Sequence, residues 1–145
     1  MSKIPAKAIK PRFNNRFSRQ IAPHVNRELK LAQRAERAGK NRQAFQHLEN
    51  AHVLGQASTY WHVKAHWQML QWAARQRQLS EFIGQVIRVF GAATKTVWGL
   101  VPQGNTGGAN ISPFATLPIN PRLQQLIHAA KQSSARQSSS ARAGH

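Results

Sequence analysis

The central part of the chain repeats apolar positions with the period of amphipathic helices. Residues 24–101 contain no proline. Glycine or polar residues interrupt this stretch at Gly39, at 55–58 and near 76–80. Between the interruptions, apolar side chains recur every three or four residues, which places them on one side of a helix. The pattern predicts four helices, at 24–38, 41–54, 58–75 and 80–98.

Residues suited to helix ends stand at the predicted boundaries. Asn41, Ser58 and Ser80 carry short side chains whose oxygens accept hydrogen bonds from the first free N–H groups of a helix, so they are predicted N-caps. Gly39 and Gly55 are predicted C-terminal stops, because glycine adopts the left-handed backbone that ends many helices.

The first two predicted helices have small and apolar residues at spacings typical of a tetratricopeptide hairpin. These residues are Leu31, Ala32, Gly39, Ala44, Leu48 and Ala51. Any two antiparallel helices packed through alanines give a similar pattern, so it supports a helical hairpin more strongly than a peptide-binding solenoid. The predicted fold class is all-α, a compact bundle of four to five helices that contains two helical hairpins.

Regions of different composition flank the predicted helices. Residues 1–22 are basic and interrupted by proline, which predicts an irregular arm. Residues 101–121 hold the sequence GNTGGA and predict a loop that covers one end of the bundle, followed by a short helix at 122–131. Residues 132–145 are serine-rich with no apolar side chain larger than alanine, so we expect a disordered tail. The predicted folded domain is residues 23–131.

The net charge of the chain indicates which kinds of partner it could bind. The chain has 21 Lys and Arg residues against four acidic residues, for a net charge of +17. Residues 1–20 carry six of the cations and residues 122–145 carry four, with no acid in either segment. Such a field attracts polyanions without regard to sequence. The basic ends are therefore candidate binding sites for a polyanion or an acidic protein.

Several absences narrow the function classes. The chain contains no cysteine, so any metal must be held by nitrogen and oxygen ligands. It also lacks aspartate and a Gly-x-Ser-x-Gly motif, which argues against a serine hydrolase or a kinase. No apolar run approaches the roughly 18 residues that a bilayer requires, so we expect no membrane span.

Five ionisable residues fall on helix faces that otherwise look buried. Glu28 lies on the apolar face of the first predicted helix, Glu49 and His52 on that of the second, and His62 and His66 on that of the third. Burial of such groups is costly unless each has a partner. Glu49-x-x-His52 and His62-x-x-x-His66 each place two potential ligand groups on neighbouring turns of one helix face.

Packing of the second helix against the third would bring these pairs together. The five residues are therefore predicted ligands of a divalent transition metal, with zinc, iron or manganese as candidates. Two other interpretations stay open. In the first interpretation, the same residues form a Glu–His network that serves only structure. In the other, the histidines and the glycine-rich loop bind a small anionic ligand, and the loop residues concerned are Asn105, Thr106, Gly107 and Gly108.

The helical wheels also assign other residues either to the core or to the polar side of their helices. His47 and Asn50 point away from the core, as does a basic face of the first helix that carries Arg27, Lys30, Arg34 and Arg37. Trp67 is predicted in the core of the third helix, with Trp61 and Trp72 on its flank under another helix or loop. In the fourth helix, Ile83 and its apolar neighbours face inward, and the polar side consists of Glu81, Gln85 and Arg88.

Four segments together resemble a bacterial family of short proteins classed as a domain of unknown function, number 3703. They are HLENAHVLGQ (47–56), HVKAHWQML (62–70), GQVIR (84–88) and VPQGNTGGANISPF (101–114). The resemblance covers residues 24–127 and implies a bacterial, cytoplasmic protein, but it implies no particular activity, so whether the protein is an enzyme stays open. The family pattern includes the segments that hold Glu49, His52, His62, His66, Gln85 and the GNTGGA loop.

The leading hypothesis from the sequence is a small helical protein that handles a transition metal or acts as a small metalloenzyme. The alternative is a helical-hairpin adaptor that binds a protein or a nucleic acid through its basic surface, with the Glu–His set serving structure. Salt distinguishes the two, because polyanion binding weakens steeply with salt whereas metal retention depends on chelators and pH.

Overall fold

The computed structural model describes residues 16–95, 106–108 and 117–143. Within these residues the chain is a bundle of five helices without a strand, which confirms the predicted fold class. No helix among them is long and apolar enough to cross a membrane. The helices are α1 (Arg16–Arg37), α2 (Asn41–Gly55), α3 (Thr59–Arg75), α4 (Leu79–Lys95) and α5 (Pro121–Ala143).

Consecutive helices pack against each other and α5 returns to the start of the bundle. α1 contacts α2, α2 contacts α3 and α3 contacts α4, while α5 packs on α1 and touches α2. The core lies between these helices and contains fully buried Ile21, Val25, Ala51 and Met69. Burial of an isoleucine, valine or methionine side chain contributes about 1.5–3 kcal/mol to folding.

α1 starts earlier than the sequence pattern predicts. Residues 16–22 of the expected arm and the separate helix predicted at 24–38 form one helix, which continues through Pro23, and residues 1–15 of the arm lie outside the described part of the chain. Proline lacks an N–H and disturbs a helix interior. However, Pro23 is exposed while Ile21 and Val25, on either side of it, are completely buried. Packing of these neighbours holds the helix across the proline.

α5 extends well beyond the predicted short helix at 122–131. It runs to Ala143, so the expectation of a disordered tail over 132–145 is wrong as far as the structure describes this segment. Serine hydroxyls along it bond to backbone carbonyls one turn earlier, as in Ser134 to Ala130 at 2.9 Å. Buried contacts of the helix are at its beginning, at Leu123 and Ala130. The later part of the helix contains alanine, arginine and glutamine, which have high helix propensity.

The predicted helix ends are confirmed at Gly39 and Ser58. Gly39 has φ +71°, and the Ser58 hydroxyl accepts a hydrogen bond from the Trp61 N–H at 3.4 Å. Asn41 is not the N-cap of α2, because that position belongs to Lys40, which makes no side-chain cap. α4 begins at Leu79, one residue before the predicted start, so Ser80 lies inside the helix and not at its N-cap.

Gly55 is the last residue of α2, and the chain leaves the helix with right-handed backbone at Gln56. A Cβ atom on Gly55 would lie 2.7 Å from the Cβ atom of Trp61. Glycine is therefore needed here for close packing of α2 on α3. The left-handed stop predicted at this position is not what the structure uses.

The buried sides of α3 and α4 differ from the predicted ones. Trp67 is 49% exposed, whereas Trp61 and Trp72 are buried, as the flank prediction required. In α4, Ile83 is 52% exposed and Gln85 is completely buried. A helical wheel ranks side chains by hydrophobicity alone and misses a buried amide whose hydrogen bonds offset its desolvation.

Candidate metal centre

Three imidazole rings converge between α2 and α3. His52 comes from α2, and His62 and His66 come from successive turns of α3; all three are at most 5% exposed. The Nε2 atom of His66 lies 3.1 Å from Nε2 of His52 and 3.2 Å from Nε2 of His62. Each ring offers one ligand nitrogen, and these three nitrogens all lie within 4.8 Å of one another.

Local sequence brings the rings together. His62 and His66 are four residues apart and therefore share one face of α3. The connection from α2 to α3 is short, and the tight approach of Gly55 to Trp61 sets the distance between the two helices. His52 is thus placed opposite the pair on α3. The predicted convergence of these three histidines is what the structure has.

Gln85 fixes the protonation pattern of His66. The Gln85 amide nitrogen donates to Glu81 Oε1 at 2.6 Å and to the Gly107 carbonyl at 2.8 Å, so its other atom is the amide oxygen. That oxygen lies 2.7 Å from His66 Nδ1 and accepts its hydrogen. A neutral His66 therefore presents the lone pair of Nε2 to the other two rings.

The single lone pair on His66 Nε2 cannot accept hydrogen bonds from both neighbouring rings. A ring nitrogen has one in-plane lone pair and accepts one hydrogen bond. Nε2 of His66, however, faces Nε2 of both His52 and His62. A cation that accepts all three lone pairs satisfies them together. In a tetrahedral zinc site with Zn–N bonds of 2.0–2.1 Å, two nitrogens are separated by about 3.3–3.4 Å, close to the distances observed.

Burial keeps the two α3 rings neutral. Desolvation lowers the pKa of His62 to about 3, and the neighbouring His66 adds to the effect. Desolvation also lowers the pKa of His66 to about 4; the hydrogen bond with Gln85 opposes this and the nearby Arg88 charge reinforces it. At neutral pH both rings are therefore unprotonated at one nitrogen, the form that binds metals.

Gly107, in the described part of the glycine-rich loop, lies against the cluster. Gly107 has φ +84°, and a Cβ atom there would lie 2.9 Å from the imidazole carbons of His52. Its carbonyl accepts the hydrogen bond from Gln85 described above. Gly108 is also buried and Thr106 is partly buried. Asn105, the fourth predicted loop residue, lies outside the described part of the chain.

Two carboxyl groups lie near the loop without joining the three nitrogens. Glu49 is half-buried, and its pKa is raised by burial; the Thr106 hydroxyl opposes this shift and the charge of Glu81 adds to it. Glu81 is 8% exposed and holds Gln85. The chain Glu81–Gln85–His66 has the form of the outer hydrogen bonds that orient metal ligands.

Glu28 occupies a different place from the one predicted. It is 1% exposed, and its carboxylate accepts from His47 at 2.7 Å, from Asn50 at 3.2 Å and from Arg122 at 3.2 Å. It therefore joins α1, α2 and α5 instead of facing the histidine cluster. The expectation that His47 and Asn50 point away from the protein is wrong, because both turn to this carboxylate.

The helical wheel missed Glu81 as a buried group, because it assigned that residue to the polar side of its helix. A signal was present in the sequence. Glu81 and Gln85 are four residues apart, so they share a face, and Gln85 lies within one of the segments that carried the family resemblance. A glutamate and a glutamine aligned in this way are suited to supporting a histidine from an adjacent helix.

Comparison with known proteins agrees with the resemblance seen in the sequence. No curated protein and no solved structure matches the chain. The sequence model of one family, described as a protein of unknown function (DUF3703), matches residues 19–127, which includes the three histidines, Gln85 and the described loop residues. The chain therefore belongs to this family of proteins of unknown function.

Proposed function

We propose that the protein binds a divalent first-row transition metal through the Nε2 atoms of His52, His62 and His66. Metal handling or a small metalloenzyme is the role that such a site serves. The observation that carries the proposal is the convergence of three buried ring nitrogens, with His66 Nε2 at 3.1 Å and 3.2 Å from the other two.

The chemistry of the donors narrows the choice of metal. Three neutral imidazoles suit zinc, iron, copper and nickel, and they are poor ligands for magnesium or calcium. The separations of 3.1 Å and 3.2 Å from His66 Nε2 to the other two rings suit Zn²⁺, which in catalytic sites takes three protein ligands and keeps a fourth position for water or a substrate. Iron and manganese remain the candidates if a carboxylate such as Glu49 completes the coordination.

Supporting groups are already arranged around the rings. Gln85 holds His66 in the tautomer that directs Nε2 to the centre, and Glu81 holds Gln85. Backbone at Gly107 covers His52. Fixed ring orientation and a covered site both raise metal affinity, because less ordering is needed on binding.

The test is metal analysis of untagged protein purified without chelator, followed by calorimetric titration of the stripped protein with Zn²⁺. We expect near-stoichiometric metal in the wild type and its loss in the double variant His62→Ala, His66→Ala. The matched control is His24→Ala, His128→Ala, which removes two histidines outside the cluster and should retain the metal.

A folded double variant that binds Zn²⁺ as tightly as the wild type would overturn the proposal. Because alanine at two buried positions also creates cavities, circular dichroism must show that the variant folds. The single variant His62→Gln, of similar size, gives a second measurement. A wild type that takes up no Zn²⁺, Fe²⁺ or Mn²⁺ would leave the three rings as a structural cluster.

A further inference from the structure

Every acidic side chain of the protein is already engaged inside the bundle or in an ion pair. The chain has only four, and all are described. Glu28 is buried against Arg122, and Glu36 accepts two hydrogen bonds from Arg75 at 2.8 Å and 3.0 Å. Glu49 and Glu81 lie beside the glycine-rich loop. The outer surface therefore presents positive charge with almost no acid to balance it.

The densest line of this charge is on α1. Five exposed cations lie along it, here called the α1 cationic stripe: Arg19, Arg27, Lys30, Arg34 and Arg37. At about 100° per residue, all five fall within an arc of roughly 80°. The two acids of α1 lie off this arc: Glu28 is buried and Glu36 pairs with Arg75.

The stripe lies directly opposite the side of α1 that packs into the bundle. The buried residues of α1 include Ile21, Val25 and Ala32, which fall about 180° from the centre of the stripe on the same helical wheel. From Arg19 to Arg37 the helix rises by about 27 Å at 1.5 Å per residue. The stripe is thus an outward-facing row of exposed cations.

The surroundings of the stripe distinguish among polyanions. An interfacial membrane helix needs large apolar side chains beside its cations. The exposed large apolar side chains of the described residues lie on α3 and α4, at Tyr60, Trp67, Leu79, Ile83 and Ile87, and none lies on α1. Single-stranded nucleic acids bind by stacking bases on aromatic rings, and the stripe has none. The stripe therefore matches a ligand that presents regularly spaced phosphates and does not depend on stacking of its bases.

We infer that the α1 cationic stripe binds the phosphate backbone of double-stranded nucleic acid. An α-helix fits the roughly 12 Å width of a B-DNA major groove, where cations along its exposed side reach phosphates at the groove edges. Such contacts give affinity and position but do not read base sequence. This inference is independent of the metal site, because the stripe and the histidines lie on different helices.

The experiment is fluorescence anisotropy of a labelled duplex, titrated with full-length protein in chelator at several salt concentrations. Each phosphate neutralised contributes about 0.9 to the slope of log K against log salt. A variant with glutamine at all five stripe positions should lose about 4–5 from that slope. Its matched control carries glutamine at five other exposed cations, Lys40, Arg42, Arg77, Lys131 and Arg136, and has the same net charge.

The proposal requires the control variant to keep most of the slope and to bind at least about tenfold more tightly than the stripe variant. Equal loss in the two variants would overturn it, since binding would then follow net charge and not the stripe. Failure of the wild type to bind duplex at about 50 mM salt, or tighter binding to a single strand of the same length, would also overturn it. Circular dichroism verifies that both variants fold.

Discussion

The buried histidines should make the metal-free protein sensitive to mild acid. His62 and His66 have pKa values of about 3 and about 4 in the folded protein, against about 6.5 in an unfolded chain. Between those limits the unfolded state binds more protons, so stability falls as pH falls. The loss begins near the unfolded pKa and continues down to the folded values.

Over most of this pH range, the loss of unfolding free energy depends only on the pKa of histidine in the unfolded chain. From about pH 7.5 to about pH 5.5, each ring loses about 1.4 kcal/mol, whether its folded pKa is 3 or 4. Together the two rings lower the free energy of unfolding by about 3 kcal/mol. Glu49 acts in the opposite direction, because burial raises its pKa and its protonation therefore favours the folded protein as the pH falls.

Urea unfolding in chelator at the two pH values measures this difference. The double variant His62→Gln, His66→Gln should reduce the pH dependence by about 3 kcal/mol, and His24→Gln, His128→Gln, which changes two histidines outside the cluster, is the matched control. Equal pH dependence in the wild type and the first variant would refute the reasoning, because it would mean that these rings titrate alike in the folded and unfolded states.

Three further substitutions test the surroundings of the cluster. Gln85→Leu removes the acceptor for His66 Nδ1, so calorimetry should give Zn²⁺ affinity about 10–100-fold weaker, while Gln124→Leu on exposed α5 should not change it. Gly107→Ala should cost more unfolding free energy than Gly39→Ala: both glycines have positive φ, costing about 1–2 kcal/mol, but only at Gly107 does the new Cβ meet the His52 ring. Equal losses would contradict that contact. Glu28→Gln should lower stability by about 1.5–3 kcal/mol, because it weakens the hydrogen bonds that the buried carboxylate accepts, and leave Zn²⁺ affinity intact; a loss of affinity would return Glu28 to the metal site.

Much of the helical architecture could be predicted from the sequence, because glycine and polar interruptions mark the turns between helices. α2 and α3 agree with the predicted bounds to within one residue at either end. The errors arose where tertiary packing decides the outcome. Pro23 is held in α1 by buried neighbours, and the C-terminal segment is a helix despite having little to bury.

The candidate site was predictable to the extent that it depends on helix spacing. His62 and His66 share a face by periodicity, and the short connection brings His52 opposite them. The place of Glu28 was not predictable, because its partner Arg122 is 94 residues away and the docking of α5 decides it. The burial of Gln85 was missed for a similar reason, since its partners come from α3 and from the loop at Gly107.

The separation of these contacts along the chain also has a consequence for the order of folding. His52 and His66 are 14 residues apart, whereas Arg122 meets Glu28 across 94. Closing the longer loop costs about 1.7 kcal/mol more chain entropy, and local contacts generally form sooner. We therefore expect the α2–α3 hairpin to assemble first and α5 to dock last. During synthesis the three imidazoles leave the ribosome well before α5, so the proposed metal site could form on the nascent chain while the C-terminal helix is still being made.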